Sequence, residues 1–272
     1  MSESKEKKPL ITEEQMQQIL QSCYDKALGG VDKMSPPIDK FAEDYLAKSA
    51  TTTEAAKKMF NNQIAKCTTS GFITGFGGIV TLPVSIPANV GSVIYVQMRM
   101  IACAVYMAGY DVNSDQVQTL VYACLAGVSV SNIVKQAGIK VGTKVATNMI
   151  KKIPGTTLTK INQRVGFRLV TKFGSKGIIN MGKLVPVVGA VVGGGFDLVE
   201  TKIIADRAYK WFLEGDFEDD TSEEVIDVET PDEDKETKSG LKTGISQAMD
   251  AVKTKLPLNN VNLKNPFSKN KE

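Results

Sequence analysis

From residue 67 to residue 98 the chain carries no charge, 32 consecutive residues between Lys66 and Arg99. A run of that length has to be hidden from water, inside either a protein core or a bilayer. Its composition argues against a spanning helix, because it holds Pro83, Pro87, five Gly and nine Ser, Thr, Asn or Gln residues. Two further uncharged stretches lie at 116–134 and 184–196. The first contains Gln116, Gln118, Ser129, Ser131 and Asn132. The second is too short to span alone and runs into Asp197 and Glu200. The expectation is therefore an all-α fold, a helical bundle with Gly/Pro-rich apolar helical hairpins buried against one another. Hairpins that enter the bilayer are the alternative. The pairs Gly71/Gly75 and Gly189/Gly193 allow close helix approach in either setting.

Punctuation residues supply the elements. Thr12 and Gln15 have the spacing of a capping box, and Gly29-Gly30 reads as the stop of that helix. Pro36-Pro37 opens a second helix through Lys48. Thr53 caps a third, over 54–67. Pro87 opens a long helix to Gly109. Asn113 or Ser114 caps the next, to about Val128, and a helical segment continues to Lys152. Pro154-Gly155 breaks the chain. A helix follows over about 157–173 and stops at Gly174, and a last one runs from near Pro186 to Leu213. No alternating strand pattern persists for long.

Charge divides the chain. Residues 1–213 carry 25 Lys/Arg against 15 Asp/Glu, residues 214–236 carry 13 acids and one Lys, and residues 237–272 carry seven Lys and two acids. The acidic stretch has no apolar periodicity and is expected to be disordered. The expected organisation is an N-terminal helical extension over 1–39, a helical domain over 40–214, and an acidic-then-basic tail over 215–272. Within the tail, Leu241, Ile245, Ala248 and Val252 space a short amphipathic helix.

The chain has no His, which excludes Ser-His-Asp and Cys-His catalysis and every imidazole metal site. Its four cysteines, Cys23, Cys67, Cys103 and Cys124, stand singly among apolar residues. They read as buried free thiols of a reducing compartment. GFITGFGG at 71–78 lacks the Lys-Ser/Thr of a phosphate loop and the third Gly of a dinucleotide fingerprint. No cofactor, metal or catalytic residue is expected. The polar N-terminus has no apolar signal region, so a cytoplasmic start is expected.

Two constellations remain. From Lys135 to Lys183 there are 11 Lys/Arg and no acid. Within that segment Lys160, Arg164, Arg168, Lys172 and Lys176 recur every four residues, a basic stripe that drifts slowly around a helix, with Leu158, Ile161, Val165 and Leu169 as the apolar face beside it. Such a helix attracts anionic lipid, nucleic acid or acidic protein. Nucleic acid is set aside, since stacking aromatics are not read among the basic residues. The solvated-face reading is weakened because no local acid is available. The second constellation is a buried polar core. Arg99 is the only charge between Lys66 and Asp111, so it is expected to be buried and paired to a carboxylate, with Asp197 and Asp111 leading and Asp115 behind.

The segment SGFITGFGGIVTLPVSIPANV…VQMRMIA…GYD at 70–111 resembles the core signature of the EcsC protein family. KVGTKVATNMIKKIPG at 140–155, TKINQRVGFRLVTKFGSKGIINMGKLVPVVG at 159–189 and GGGFDLVETKIIADRAYKWF at 193–212 follow in the family's order. In these motifs Arg99, Asp111, Asn162, Gly166 and Asp197 occupy characteristic polar or Gly positions. The resemblance implies a bacterial cytoplasmic protein, often encoded beside an ABC exporter implicated in secretion, and supplies no defined activity. PVVGAVVGGGFD is also similar to the C-terminal apolar domain of some membrane-associated GTPases, although this chain has no GTPase motifs. The expected function is a peripheral accessory or binding protein at the cytoplasmic face of the inner membrane, not an enzyme. It would meet an anionic membrane surface or a membrane protein. An enzyme acting on a lipid, built on Arg99, Asp111 and Asp197, and an integral protein with helical hairpins are the alternatives.

Overall fold

A computed structural model describes residues 11–67, 88–136, 150–173 and 200–217. Among these residues every regular element is helical, and the only β pairing is an isolated bridge between Val31 and Ser35. The all-α expectation holds.

Helix α1 spans Glu13–Gly29. Its start is the expected capping box: the Thr12 side chain accepts from the Gln15 amide, and the Gln15 side chain accepts from the Thr12 amide. Ile11 and Met16, at the two positions of a hydrophobic staple, are both fully buried. Helix α2 is Ile38–Ala47, entered through Pro37, and α3 is Thr52–Cys67. The α3 cap is Thr51 rather than Thr53. Its hydroxyl accepts from the Glu54 amide, while the Glu54 carboxylate accepts from the Ala50 amide. The signal was the Thr-x-x-Glu spacing of 51 and 54, the same box that opens α1, which three consecutive threonines obscured.

Helix α4, Ala88–Met107, is the centre of the body. From Gly91 to Val105 only Val93 is less than buried. The helix packs against α1, α2, α3 and α5, the last spanning Asp115–Ala126. Ser114 caps α5 through the Val117 amide, and Gly127 ends it in the left-handed conformation. Helix α6 is Ser131–Gln136 and α7 is Gly155–Phe173. Helix α7 lies across α1 and α5 and also meets α6. Helix α8, over 200–208, passes into a single π-helical turn, Tyr209–Glu214, closed by Gly215 in the left-handed region. After that turn Phe217 stacks on Trp211 at 5.3 Å and meets Phe212 edge-on. The folded part therefore continues to Phe217, past the expected boundary near Gly215.

Cys23, Cys103 and Cys124 are buried free thiols, as expected. Burial pushes each of them up to about 12. The expected acidic disorder, the amphipathic segment at 241–252, the Gly-rich hairpin at 71–87 and the whole 184–196 run lie outside the described residues.

Candidate anion-binding face and buried polar core

Helix α7 begins just after Pro154, whose carbonyl accepts from the Thr157 and Leu158 amides. Leu158, Ile161, Val165 and Leu169 are buried, as the spacing requires. Gly166 belongs to that inner side. A Cβ there would stand 3.2 Å from Nε2 of Gln17 on α1, so a larger residue would crowd the side chain that donates to the Asn162 main-chain carbonyl. The outer side carries Lys160 and Arg164, both exposed.

The five-residue stripe does not stay on that side. A four-residue step advances about 40° past a full turn, so each later member turns further towards the core. Arg168 and Lys172 are accordingly half-buried. Lys172 is bridged to Glu200 at the start of α8 and lies 4.9 Å from the Phe173 ring centroid. No acid is local to the stripe, as expected, but a distant one reaches Lys172. The partner comes from 28 residues further along the chain. Lys176 lies outside the described residues.

The basic residues are, contrary to expectation, interleaved with an aromatic. Phe167 sits between Arg164 and Arg168 in sequence and is 67% exposed. The signal was present, because Phe167 follows Lys160 by seven residues, two turns on the same meridian.

The expected polar core is not one site. Arg99 is buried, at 4% exposure, but among the described residues its acceptors are carbonyls rather than carboxylates. One guanidinium nitrogen donates to the Ala27 carbonyl at 2.8 Å and another to the Pro36 carbonyl. The group also lies 4.4 Å from the Phe41 ring centroid and beside Tyr95. Tyr95 and Ser35 share a 2.7 Å hydroxyl hydrogen bond. Burial lowers the Arg99 pKa from its ordinary value. Ala27 lies in the last turn of α1, where unpaired carbonyls and the negative end of the helix dipole do the work of a carboxylate. Asp111 is exposed and organises the turn into α5, its carboxylate accepting from the Asn113 amide at 3.0 Å. Asp115 is exposed in the first turn of α5.

Asn162 lies elsewhere, at the seam of α1, α5 and α7. Its amide nitrogen donates to the Thr119 hydroxyl at 3.3 Å, and its carbonyl accepts from Gln17 at 3.2 Å. Its side-chain oxygen is buried without a hydrogen-bond partner. Asp197 lies outside the described residues.

Sequence reading overlooked three buried charges on α8; besides Lys202, at 7% exposure, they are Asp206 and Arg207. Arg207 donates to the Cys124 carbonyl at 2.8 Å, in the last turn of α5. It repeats there what Arg99 does for α1. Asp206 is 5% exposed, and neither of its carboxylate oxygens has a hydrogen-bond partner. Burial raises its pKa to about 6, against the pull of Lys202 and Lys210 and with a push from Glu214. The flanking apolar residues of IIADRAYKWF were the signal for Asp206 and Arg207. Also in the interior, Gln97 of α4 donates to Thr201 of α8 at 3.0 Å.

Among the described residues no helix is long and apolar enough to cross a membrane. Nor does any group of three His, Cys, Asp or Glu residues there form a candidate metal site. In comparisons with known proteins, the EcsC protein family matches residues 4–212. The match takes in most of the N-terminal segment as well as the motifs at 70–212, in keeping with the packing of α1 against α4 and α7. No curated protein and no solved structure matches the chain.

Proposed function

We propose a function from one premise, that this chain belongs to the EcsC protein family. It is a peripheral, membrane-associated binding protein, an accessory to a membrane transporter of the ABC exporter type, and it works at the cytoplasmic face of the inner membrane. Its contact with the anionic surface is the outer face of α7. The observation that carries this reading is the exposure of Lys160 and Arg164 on a helix whose segment, 135–183, contains no acid. Each basic residue near an anionic leaflet contributes about 1 kcal/mol. Binding rather than catalysis is favoured because the conspicuous buried arginine, Arg99, serves backbone carbonyls of its own fold.

The test is flotation with vesicles. The protein should float with vesicles containing anionic lipid and not with neutral ones. Salt should weaken the association, since exposed charges are screened beyond about 8–10 Å at physiological ionic strength. Equal flotation on neutral vesicles at high salt sinks the electrostatic reading. Carbonate should release the protein from native membranes, and affinity purification from those membranes should bring a transporter with it.

A further inference from the structure

Resting on the reading of α7 as the anionic-surface helix, we propose that the surface is a lipid bilayer and that Phe167 is the side chain that enters it. Phe167 is the most exposed large hydrophobic among the described residues, at 67% against 45% for Met34 and 39% for Ile203. A single exposed apolar residue is ordinary on a protein surface. What distinguishes this one is its setting.

At about 100° per residue, Lys160, Arg164, Phe167 and Thr171 fall within about 60° of arc on α7. All four are exposed. The inner side of the helix is held in the core by Ile161, Val165 and Leu169, each at most 1% exposed. Phe167 is therefore not a stray member of the buried stripe. It stands at the crest of the opposite face, with basic residues on the turns before it.

Two threonine hydroxyls on or beside this outer side are already satisfied. Thr171 donates to the Phe167 carbonyl at 2.8 Å, and Thr159 donates to the Gly155 carbonyl at 3.0 Å. A hydroxyl bonded back to its own helix strands no donor when the face leaves water. Thr171, one turn beyond Phe167, thus presents its methyl group at little desolvation cost.

A bilayer supplies both complements at once. Anionic headgroups match Lys160 and Arg164, and the acyl boundary beneath them takes the phenyl ring. A soluble acidic protein matches the charges but leaves the ring exposed unless it also brings a pocket. Charge complementarity and the satisfied threonines together favour the bilayer.

The test uses the full chain and vesicles of phosphatidylcholine with or without phosphatidylserine. Phe167→Ala should weaken binding to the anionic vesicles about tenfold, the value of a largely buried phenyl ring, and leave the dependence on phosphatidylserine intact. Lys160→Gln and Arg164→Gln should each weaken it about fivefold. Phe167→Trp adds a reporter at the proposed depth, since the native Trp211 is 2% exposed. Its emission should shift to the blue on anionic vesicles and be quenched by lipids brominated in the acyl chains.

Binding that persists while the new Trp is neither shifted nor quenched overturns insertion and leaves the electrostatic reading standing. A soluble polyglutamate peptide that binds as tightly as the vesicles, with Phe167→Ala neutral, makes the partner an acidic protein and also overturns insertion. No association of the wild-type chain with anionic vesicles removes the underlying reading along with the inference.

Discussion

A charge taken out of water needs a counter-charge or acceptors that replace its hydration. Arg99 takes the second route, with two carbonyls and an aromatic face. Arg99→Met orphans two buried carbonyls, each costing about 1–3 kcal/mol. Unfolding in urea should show a loss of about 3 kcal/mol. Arg99→Lys should recover only part of it, since one ammonium cannot fork between two elements. Burial of Arg99 was legible from its isolation in the sequence. Its acceptors were not, because main-chain carbonyls leave no mark in a sequence, and the search turned to carboxylates. Asp206 shows the opposite imbalance, a buried carboxylate with no donor. Its folded pKa, about 6, lies above the ordinary 3.8. The folded state therefore binds the proton more tightly than the unfolded chain does. This term favours folding below about pH 4 and is lost as pH rises through 6. Asp206→Asn should be more stable than wild type at pH 7.5 by about 2 kcal/mol and no more stable at pH 4. Thermal unfolding of the pair at both values checks it. A constant difference across that range would show that Asp206 does not titrate there.

At the scale of the element, local chemistry set most helix ends and distant chemistry set the exceptions. Thr12 with Gln15, Pro37 and Ser114 all act within a turn or so of their own position, and their roles were readable from spacing, whereas the stop at Gly127 falls one residue short of the expected end near Val128. The π-helical turn at Tyr209–Glu214 was not readable, because no residue in YKWFLE demands it. It carries Trp211 and Phe212, which pack on Phe217, and Phe212 also meets Tyr110 from a distant part of the chain. Helix α7 mixes the two cases. Its buried stripe followed from periodicity, while the half-burial of Arg168 and Lys172 followed from drift against partners on other helices. Gly29 and Gly30 separate the local from the tertiary most sharply. Gly30 has φ +79°, and a Cβ there would stand 2.5 Å from the Ser35 carbonyl oxygen and 2.6 Å from the Pro36 carbonyl carbon. Pro36 is also an acceptor for Arg99, so the clash would spread to that cross-link. Gly30→Ala should cost about 3 kcal/mol, combining left-handed strain with overpacking. Gly29→Ala meets nothing within 4 Å and should gain about 0.5 kcal/mol by restricting the unfolded chain. Urea denaturation of the two variants should move in opposite directions.

For the molecule as a whole, the all-α class and the family were legible because both rest on extended patterns, helical periodicity and motif order. The separation of the polar residues was not, because Arg99, Asp111 and Asn162 share no spacing that reports it. Charge at this scale leads to the last prediction. Residues 1–213 carry a net +10 and residues 214–236 a net −12, joined by the chain itself. A tether of a few residues gives an effective concentration in the millimolar range, so the acidic stretch is a strong competitor for any basic face it can reach. Removing it should tighten binding to anionic vesicles. The position of the cut matters. A cut after Leu213 would remove Phe217, which is 5% exposed and stacked on Trp211, and would expose that cluster. A cut after Phe217 spares it and removes 11 of the 13 acids in 214–236. The chain ending at Phe217 should keep the thermal stability of the full chain and float at lower anionic-lipid content or higher salt. The chain ending at Leu213 should unfold at lower temperature, by several degrees for each kcal/mol of packing lost. Equal vesicle binding by the full chain and the chain ending at Phe217 would remove autoinhibition and leave the acidic stretch a solubilising role, without touching the basic face of α7.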